Sequence, residues 1–433
     1  MTLLKIVEEP SAAFTSELTR LGDRGVGDLA HVEPSVRQIL EDVRREGDAA
    51  VHRYSERFDG RRAPQIFTRE LDGAGALARL PKPLSDALKQ AADRIRAFHE
   101  RQRERGFYYE GAESSPDAGI RLGARARAVR RAGVYAPGGK ARYPSSVLMA
   151  AIPAQVAGVV DIVLATPGPD DLLLAAAHLS GVTAVVDAGG AQAIGALAFG
   201  TQTVPRVDKI VGPGNIFVAC AKRLVLGYVD IDGIAGPSEI LVVADRSAQA
   251  SVVAADLLSQ AEHDEDAYPL LVTTERGLAE AVERELVKQL STLPRKGVAQ
   301  KSLQERGAAL VVSTRSRLLE VADFLAVEHV ALHVERPDEA FDAIGAMGAA
   351  FVGDSTPEAA GDYIAGPSHV LPTGGAVRFG SPLGVYDFLA RTSYIRYSRE
   401  ALTRQADAIV TMARAEGLEA HARAVLVRTG GLS

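Results

Sequence analysis

The chain has 433 residues, 47% hydrophobic and 24% charged, which predicts roughly two to four folded units and excludes global disorder. Its 49 basic and 55 acidic side chains sum to a net charge of −6, and it has no Trp and 5% aromatics; these exclude a basic stripe for nucleic acid and a base-stacking platform. One cysteine, Cys220, excludes an internal disulfide and a CxxC zinc knuckle.

The first ten residues carry neither a basic leader nor an apolar run of signal length. Residues 34–58 read as an amphipathic helix with Val36, Ile39, Leu40, Val43, Ala50 and Val51 near one face. A second amphipathic helix is expected over 83–105, and the first 125 residues read as mainly helical. The most apolar stretch, 147–165, is interrupted by Pro153, Gln155 and Asp161. It reads as a buried helix over 145–158 followed by a buried strand over 161–165, not as a membrane span. A soluble, cytoplasmic protein is expected.

From Val129 the texture becomes alternating. Short β-branched runs at 133–136, 161–166, 184–187 and 209–211 are each followed by a glycine-rich turn and an alanine-rich helical stretch. That pattern predicts βαβ units and a parallel sheet. After Asp245 it resumes, with strands expected at 270–274, 309–312, 330–334 and 349–352, so two α/β halves are expected. The tail beyond Gly384 reads as helical, most clearly over 398–424.

Ligands of open parallel sheets sit beyond the carboxyl ends of the strands, and here that rim is lined with glycine. In Val211-Gly212-Pro213-Gly214-Asn215 a strand ends, glycine admits close approach, and Asn215 is placed to cap a helix whose free N–H groups favour an anion. The same pattern fits a turn that needs glycine for geometry alone. Gly189-Gly190-Ala191-Gln192 poses the same question and adds a side-chain amide. No GxGxxG fingerprint or Walker A motif occurs.

Gln260 and His263 lie three apart on one helical face, a spacing common to zinc ligands and to solvated helix ends alike. Glu328-His329, at the entrance of a strand, offers two adjacent proton acceptors, or a surface turn. His333 reads as a satisfied structural histidine. His31, His52 and His99 read as solvated and His178 as packed; Cys220, between Val218, Ala219 and Ala221, reads as a small core residue.

Taken in order, several blocks resemble one family, the histidinol dehydrogenases. They are YPSSVLM at 143–149, GGAQAI at 189–194, VDKIVGPGN at 207–215, IAGPSE at 234–239, LLSQAEH at 257–263, GDY at 361–363, HVLPT at 369–373 and EGLEAH at 416–421. The resemblance spans about 34–427 and implies zinc- and NAD-dependent oxidation of L-histidinol to L-histidine through L-histidinaldehyde. It implies zinc, one per subunit, on Gln260, His263, Asp362 and His421, with Glu328 and His329 as the catalytic pair. Substrate contacts are implied at Ser238, His369 and Glu416, as well as at the metal ligands and His329. NAD contacts are implied at Tyr135, Gln192 and Asn215.

The fold that the resemblance implies is α/β, with two incomplete Rossmann-like parallel-sheet domains plus small N- and C-terminal helical segments. The ranges expected are 1–24 for an N-terminal helical segment, 25–130 with 239–382 for the domain carrying zinc and the Glu-His pair, 131–238 for the NAD domain, and 383–433 for a C-terminal segment intertwined with a partner. A homodimer with shared active sites is expected, with no nucleic-acid or membrane partner. The chain departs from the family's usual residues at Val327, Ala150 and Ser368, and Val327 in place of Pro predicts a looser approach to Glu328. The competing expectation is a relative oxidising another small polyol or amino alcohol, such as a sulfonated propanediol.

Overall fold

The computed structural model describes residues 2–25, 29–138 and 143–431. They form two compact units: Met1–Gln102 with Val129–Phe388, and Arg103–Ala128 with Leu389–Ser433. The large unit holds two six-stranded sheets and the small unit a three-stranded one.

The first sheet runs in the order Lys5–Glu8, Ala308–Val311, Tyr268–Thr273, Glu239–Ala244, His329–His333, Ala349–Val352, and every pair is parallel. Its central strands are buried along their whole length because helices cover both faces, the condition under which parallel strands read as continuous apolar runs. The second sheet runs Phe67–Thr68, Ala184–Val186, Asp161–Ala165, Arg131–Tyr135, Lys209–Val211, Asp230–Ile231; its first pair is antiparallel and the rest are parallel. These are the two α/β halves that the alternation announced. Among the described residues, no helix is long and apolar enough to cross a membrane.

The helix expected over 34–58 is two helices, Glu33–Glu46 and Asp48–Asp59. Gly47, at φ +61°, breaks them, and a Cβ there would lie 2.1 Å from Gln202 Oε1. The Gln202 amide oxygen instead accepts the Asp48 N–H at 2.8 Å. Val36, Ile39, Leu40, Val43, Ala50 and Val51 share one apolar core with Ile194, Leu197 and Val218 of the second sheet's helices.

The early residues hold more strand than their composition announces. Lys5–Glu8 pairs with Ala308–Val311 at the edge of the first sheet. In the small unit, Ile120–Ala128 pairs antiparallel with Leu389–Tyr397 over nine residues and with Phe107–Glu110. The tail therefore opens with a strand, and its helix is two helices, Arg399–Ala415 and Glu419–Thr429, separated at Gly417 with φ +75°. The Pro137–Gly139 turn ends outside the described residues, at Gly139.

Candidate active site

The acid–base pair and three of the four metal candidates, Gln260, His263 and Asp362, belong to the amino edge of the first sheet, not to the carboxyl rim where ligands of open parallel sheets usually sit. Glu239 and His329 each begin a strand, and the helix Ala250–Ala261 runs back toward that edge. It therefore ends there with its carbonyl dipole, which favours a cation.

Gln260 is fully buried at the end of this helix, and both of its amide atoms lack a hydrogen-bond partner. His263 Nε2 lies 3.9 Å from Asp362 Oδ2. Asp362 is carried by the helix Glu358–Tyr363, and its carbonyl is 3.1 Å from His369 Nδ1. Burial lowers the His369 pKa. Among the described residues no three His, Cys, Asp or Glu side chains close on one point. Even so, an orphaned buried amide beside an imidazole and a carboxylate supplies the oxygen and nitrogen donors that zinc accepts, so these residues fit the metal.

The Glu328-His329 pair is buried beside them. His329 Nδ1 is 3.0 Å from the Glu239 carbonyl oxygen. A carbonyl only accepts, so Nδ1 carries the proton and Nε2 is left as the basic nitrogen. Burial opposes a charge on the ring, but the carboxylates of Glu328, Glu358 and Asp362 outweigh it and raise the imidazole to about 10. A divalent cation held by Gln260, His263 and Asp362 would offset that negative charge. Glu328 Oε2 accepts the Glu239 N–H at 2.9 Å.

Glu358 was not anticipated. Its carboxylate is 1% exposed; Oε2 accepts the Ser259 hydroxyl at 2.9 Å and Oε1, without a partner, lies 3.7 Å from His329 Nδ1. Burial, with Asp362 and Glu328 adding to it, pushes the Glu358 carboxyl up to about 7. The available signal is its spacing, one helical turn before Asp362.

Gln192 and Asn215 stand at the carboxyl rim of the second sheet, where the glycine pattern placed them, and Tyr135, which the resemblance added, ends a strand at the same rim. Tyr135 is buried and its hydroxyl oxygen accepts the Gly190 N–H at 3.1 Å. The buried Gln192 Oε1 has no partner, which fits a group supplied by a bound dinucleotide. Asn215 caps the helix Ile216–Val225, its Oδ1 accepting from the N–H groups of Phe217 and Val218, each at 3.1 Å. Gly212 settles part of the ambiguity of its turn. At φ +113°, a Cβ there would lie 2.1 Å from the Tyr135 carbonyl oxygen, so geometry alone demands glycine.

Ser238, next to the Glu239 strand, accepts the Tyr268 N–H at its carbonyl. Ser368 Oγ donates to the Met149 carbonyl and accepts the Val370 N–H, both at 3.2 Å, and so fastens the loop carrying His369. Val327 is fully buried in the apolar core under the first sheet. Cys220 is buried, and burial pushes its thiol up. His333 is satisfied by two carboxylates. His99, expected solvated, is fully buried with Nδ1 2.7 Å from Gln102 Oε1, and His178, expected packed, is exposed. Glu416 and His421 are exposed residues of the small unit, at the end of one tail helix and inside the next.

The family model described as Histidinol dehydrogenase matches residues 23–429. The chain belongs to the histidinol dehydrogenase family. It is 49% identical over 417 residues to the histidinol dehydrogenase of Aquifex aeolicus, covering 96% of both chains. It is 46% identical over 432 residues to that of Syntrophotalea carbinolica, covering 98% of this chain and 99% of the relative. The crystal structure of histidinol dehydrogenase from Elizabethkingia anophelis superposes with a TM-score of 0.91 at 35% identity, over 100% of this chain and 99% of that one. Membership makes the chain an oxidoreductase.

Proposed function

We propose that the chain oxidises L-histidinol to L-histidine through L-histidinaldehyde, in the cytoplasm, as a homodimer with one zinc ion per subunit. The observation that carries this reading is the His329 ring. Its Nδ1 faces the Glu239 carbonyl, which leaves Nε2 to act as the base, and the ring feels the charge of Asp362, one of the metal donors.

Zinc, held by Gln260, His263 and Asp362 with His421 as the fourth donor, would orient the amine and imidazole of the substrate, and NAD at Tyr135, Gln192 and Asn215 would accept a hydride in each step. The chain's own groups move the protons. His329 Nε2 takes the hydroxyl proton of the alcohol. Glu328 takes a proton from the water that adds to the aldehyde carbon, which gives a hydrate that can be oxidised again. His369, Ser238 and Glu416 bind the substrate, the Glu416 carboxylate accepting hydrogen bonds from its N–H groups. Such a carboxylate repels a sulfonated or phosphorylated substrate.

His421 and Glu416 belong to the small unit and are assigned to a site shared by two subunits. The small unit exposes Phe107, Tyr109, Ile395, Met412 and Val427, apolar side chains that a partner subunit would cover.

Two NADH per histidinol, lost on chelation and restored by zinc, is the expected result. Faster turnover of 2,3-dihydroxypropane sulfonate than of histidinol would refute the substrate assignment.

A further inference from the structure

Beneath the Glu328-His329 pair lies a buried ion pair that none of the proposed chemistry uses. Arg24 follows the helix Ala12–Gly22, and Glu239 opens a central strand of the first sheet. Their side chains are 1% and 2% exposed. The guanidinium meets the carboxylate as a fork, Nε to Oε1 at 2.9 Å and Nη2 to Oε2 at 3.0 Å. Nη1 also donates to the Leu21 carbonyl at 2.7 Å, and Nη2 to those of Leu325 and Ala326 at 2.7 and 3.4 Å.

Those last two carbonyls lie just before the catalytic pair. Ala326 is the one non-glycine residue with positive φ among the described residues, at +48°, a conformation that a Cβ makes costly. Strain of this kind persists only where surrounding contacts over-determine it, and Arg24 bonds on both sides of the strained residue's own peptide. Glu239 holds Glu328 and His329, past Val327. Its Oε2 accepts the Glu328 N–H at 3.3 Å, its own N–H donates to Glu328 Oε2 at 2.9 Å, and its carbonyl oxygen accepts from His329 Nδ1 at 3.0 Å. Gly374 N–H, from the loop that follows His369, donates to Oε1 at 3.0 Å. Glu239 thus ties the catalytic pair to that loop, Glu328 through its carboxylate and His329 through its backbone carbonyl.

We infer that the buried Arg24–Glu239 pair is the positioning device of the site: it holds residues 325–329 so that Glu328 presents its carboxylate and His329 its Nε2 in fixed directions. Neither residue touches substrate, and neither is a metal donor. Breaking the pair therefore moves the catalytic groups without removing them, and a misplacement of about 1 Å costs up to roughly 100-fold in rate.

The inference rests on Glu328 and His329 being the acid–base pair, so His329→Asn is the control. Full turnover by His329→Asn would refute the catalytic assignment itself, whatever Arg24 and Glu239 do. With that control inactive, the zinc-loaded variants Glu239→Gln, Arg24→Lys and the double variant are assayed well below their unfolding temperatures, with kcat, KM for histidinol and bound zinc read together. Glu239→Gln keeps the length and an acceptor but loses the charge; Arg24→Lys keeps the charge but loses the fork. Each single variant is expected to lose about 10–100-fold in kcat, with bound zinc stoichiometric and KM little changed. The double variant is expected to lose no more than the worse single one, because both act through one contact. If Glu239→Gln does not fold, Arg24→Lys carries the same reading. A folded variant with lowered thermal stability and full kcat would overturn the inference, as would losses that simply multiply in the double variant.

Discussion

His333 Nε2 lies 2.8 Å from Asp256 Oδ2, which fastens the strand that begins at His329 to the helix Ala250–Ala261, which carries Gln260. Nδ1 lies 2.8 Å from Asp354 Oδ1, which adds the turn after the strand Ala349–Val352. Both ring nitrogens face carboxylates, so the ring is held as imidazolium. Burial lowers its pKa, but the bonds to Asp256 and Asp354 outweigh this and leave it raised.

A raised folded pKa contributes stability that is complete below the unfolded value, about 6.5, and is lost as pH rises through the folded value. His333→Gln should therefore cost about 2 kcal/mol near pH 6, since Asp354 is half exposed and its share is screened. The gap between wild type and variant should narrow toward pH 9. Urea unfolding at both pH values measures it, and a gap that stays constant would show the ring to be neutral.

What could be read beforehand was local. Gln260 and His263 are one helical turn apart, Glu328 and His329 are adjacent, and Asn215 caps the helix that follows it; each signal lies within a few residues. The parallel strands were legible because burial on both faces makes them continuous apolar runs. Arg24 and Glu239 meet across 215 positions, and the Ile120–Ala128 strand finds its partner about 270 residues later. Neither has a local period, so neither was visible. Glu358 was missed because a lone carboxylate looks the same whether a fold buries it or not. The helix break at Gly47 was missed because the apolar face continues across it.

Gln260 gives a test of the metal site that does not depend on turnover. Each buried polar group without a partner costs about 1–3 kcal/mol, and Gln260 has two such atoms. Gln260→Met, of similar length and apolar, should leave chelator-treated protein as stable as wild type or more so, while zinc at equilibrium falls well below one per chain. Thermal unfolding in chelator and metal analysis check the two halves. A variant that unfolds more readily and keeps its zinc would remove Gln260 from the donor set.

Asn215 has two roles that one substitution can separate. Its Oδ1 already accepts two N–H groups of the following helix, so Asn215→Ala would lose about 1 kcal/mol of cap whether or not NAD is near. Asn215→Asp keeps the cap but places a negative charge at the rim. With NAD bound there, thermal stability should hold while KM for NAD rises at least several-fold. An unchanged KM would leave Asn215 as a cap and nothing more.

The division of labour between Glu328 and His329 can be read by supplying each half-reaction separately. On the proposed reading the Nε2 of His329 takes the alcohol proton, because Nδ1 is committed to the Glu239 carbonyl. Glu328 is held by the Glu239 N–H through Oε2, which leaves Oε1 to meet water. A placed base contributes about 10²–10⁴-fold. His329→Asn should thus lose most of the oxidation of histidinol while retaining much of the oxidation of supplied histidinaldehyde. Glu328→Gln, nearly isosteric, should do the reverse, since its amide cannot take a proton from the attacking water. NADH formation from each substrate under single-turnover conditions separates the two steps. Equal losses in both half-reactions for both variants would mean that the pair acts as one coupled unit, and the assignment of one step to each residue would fall.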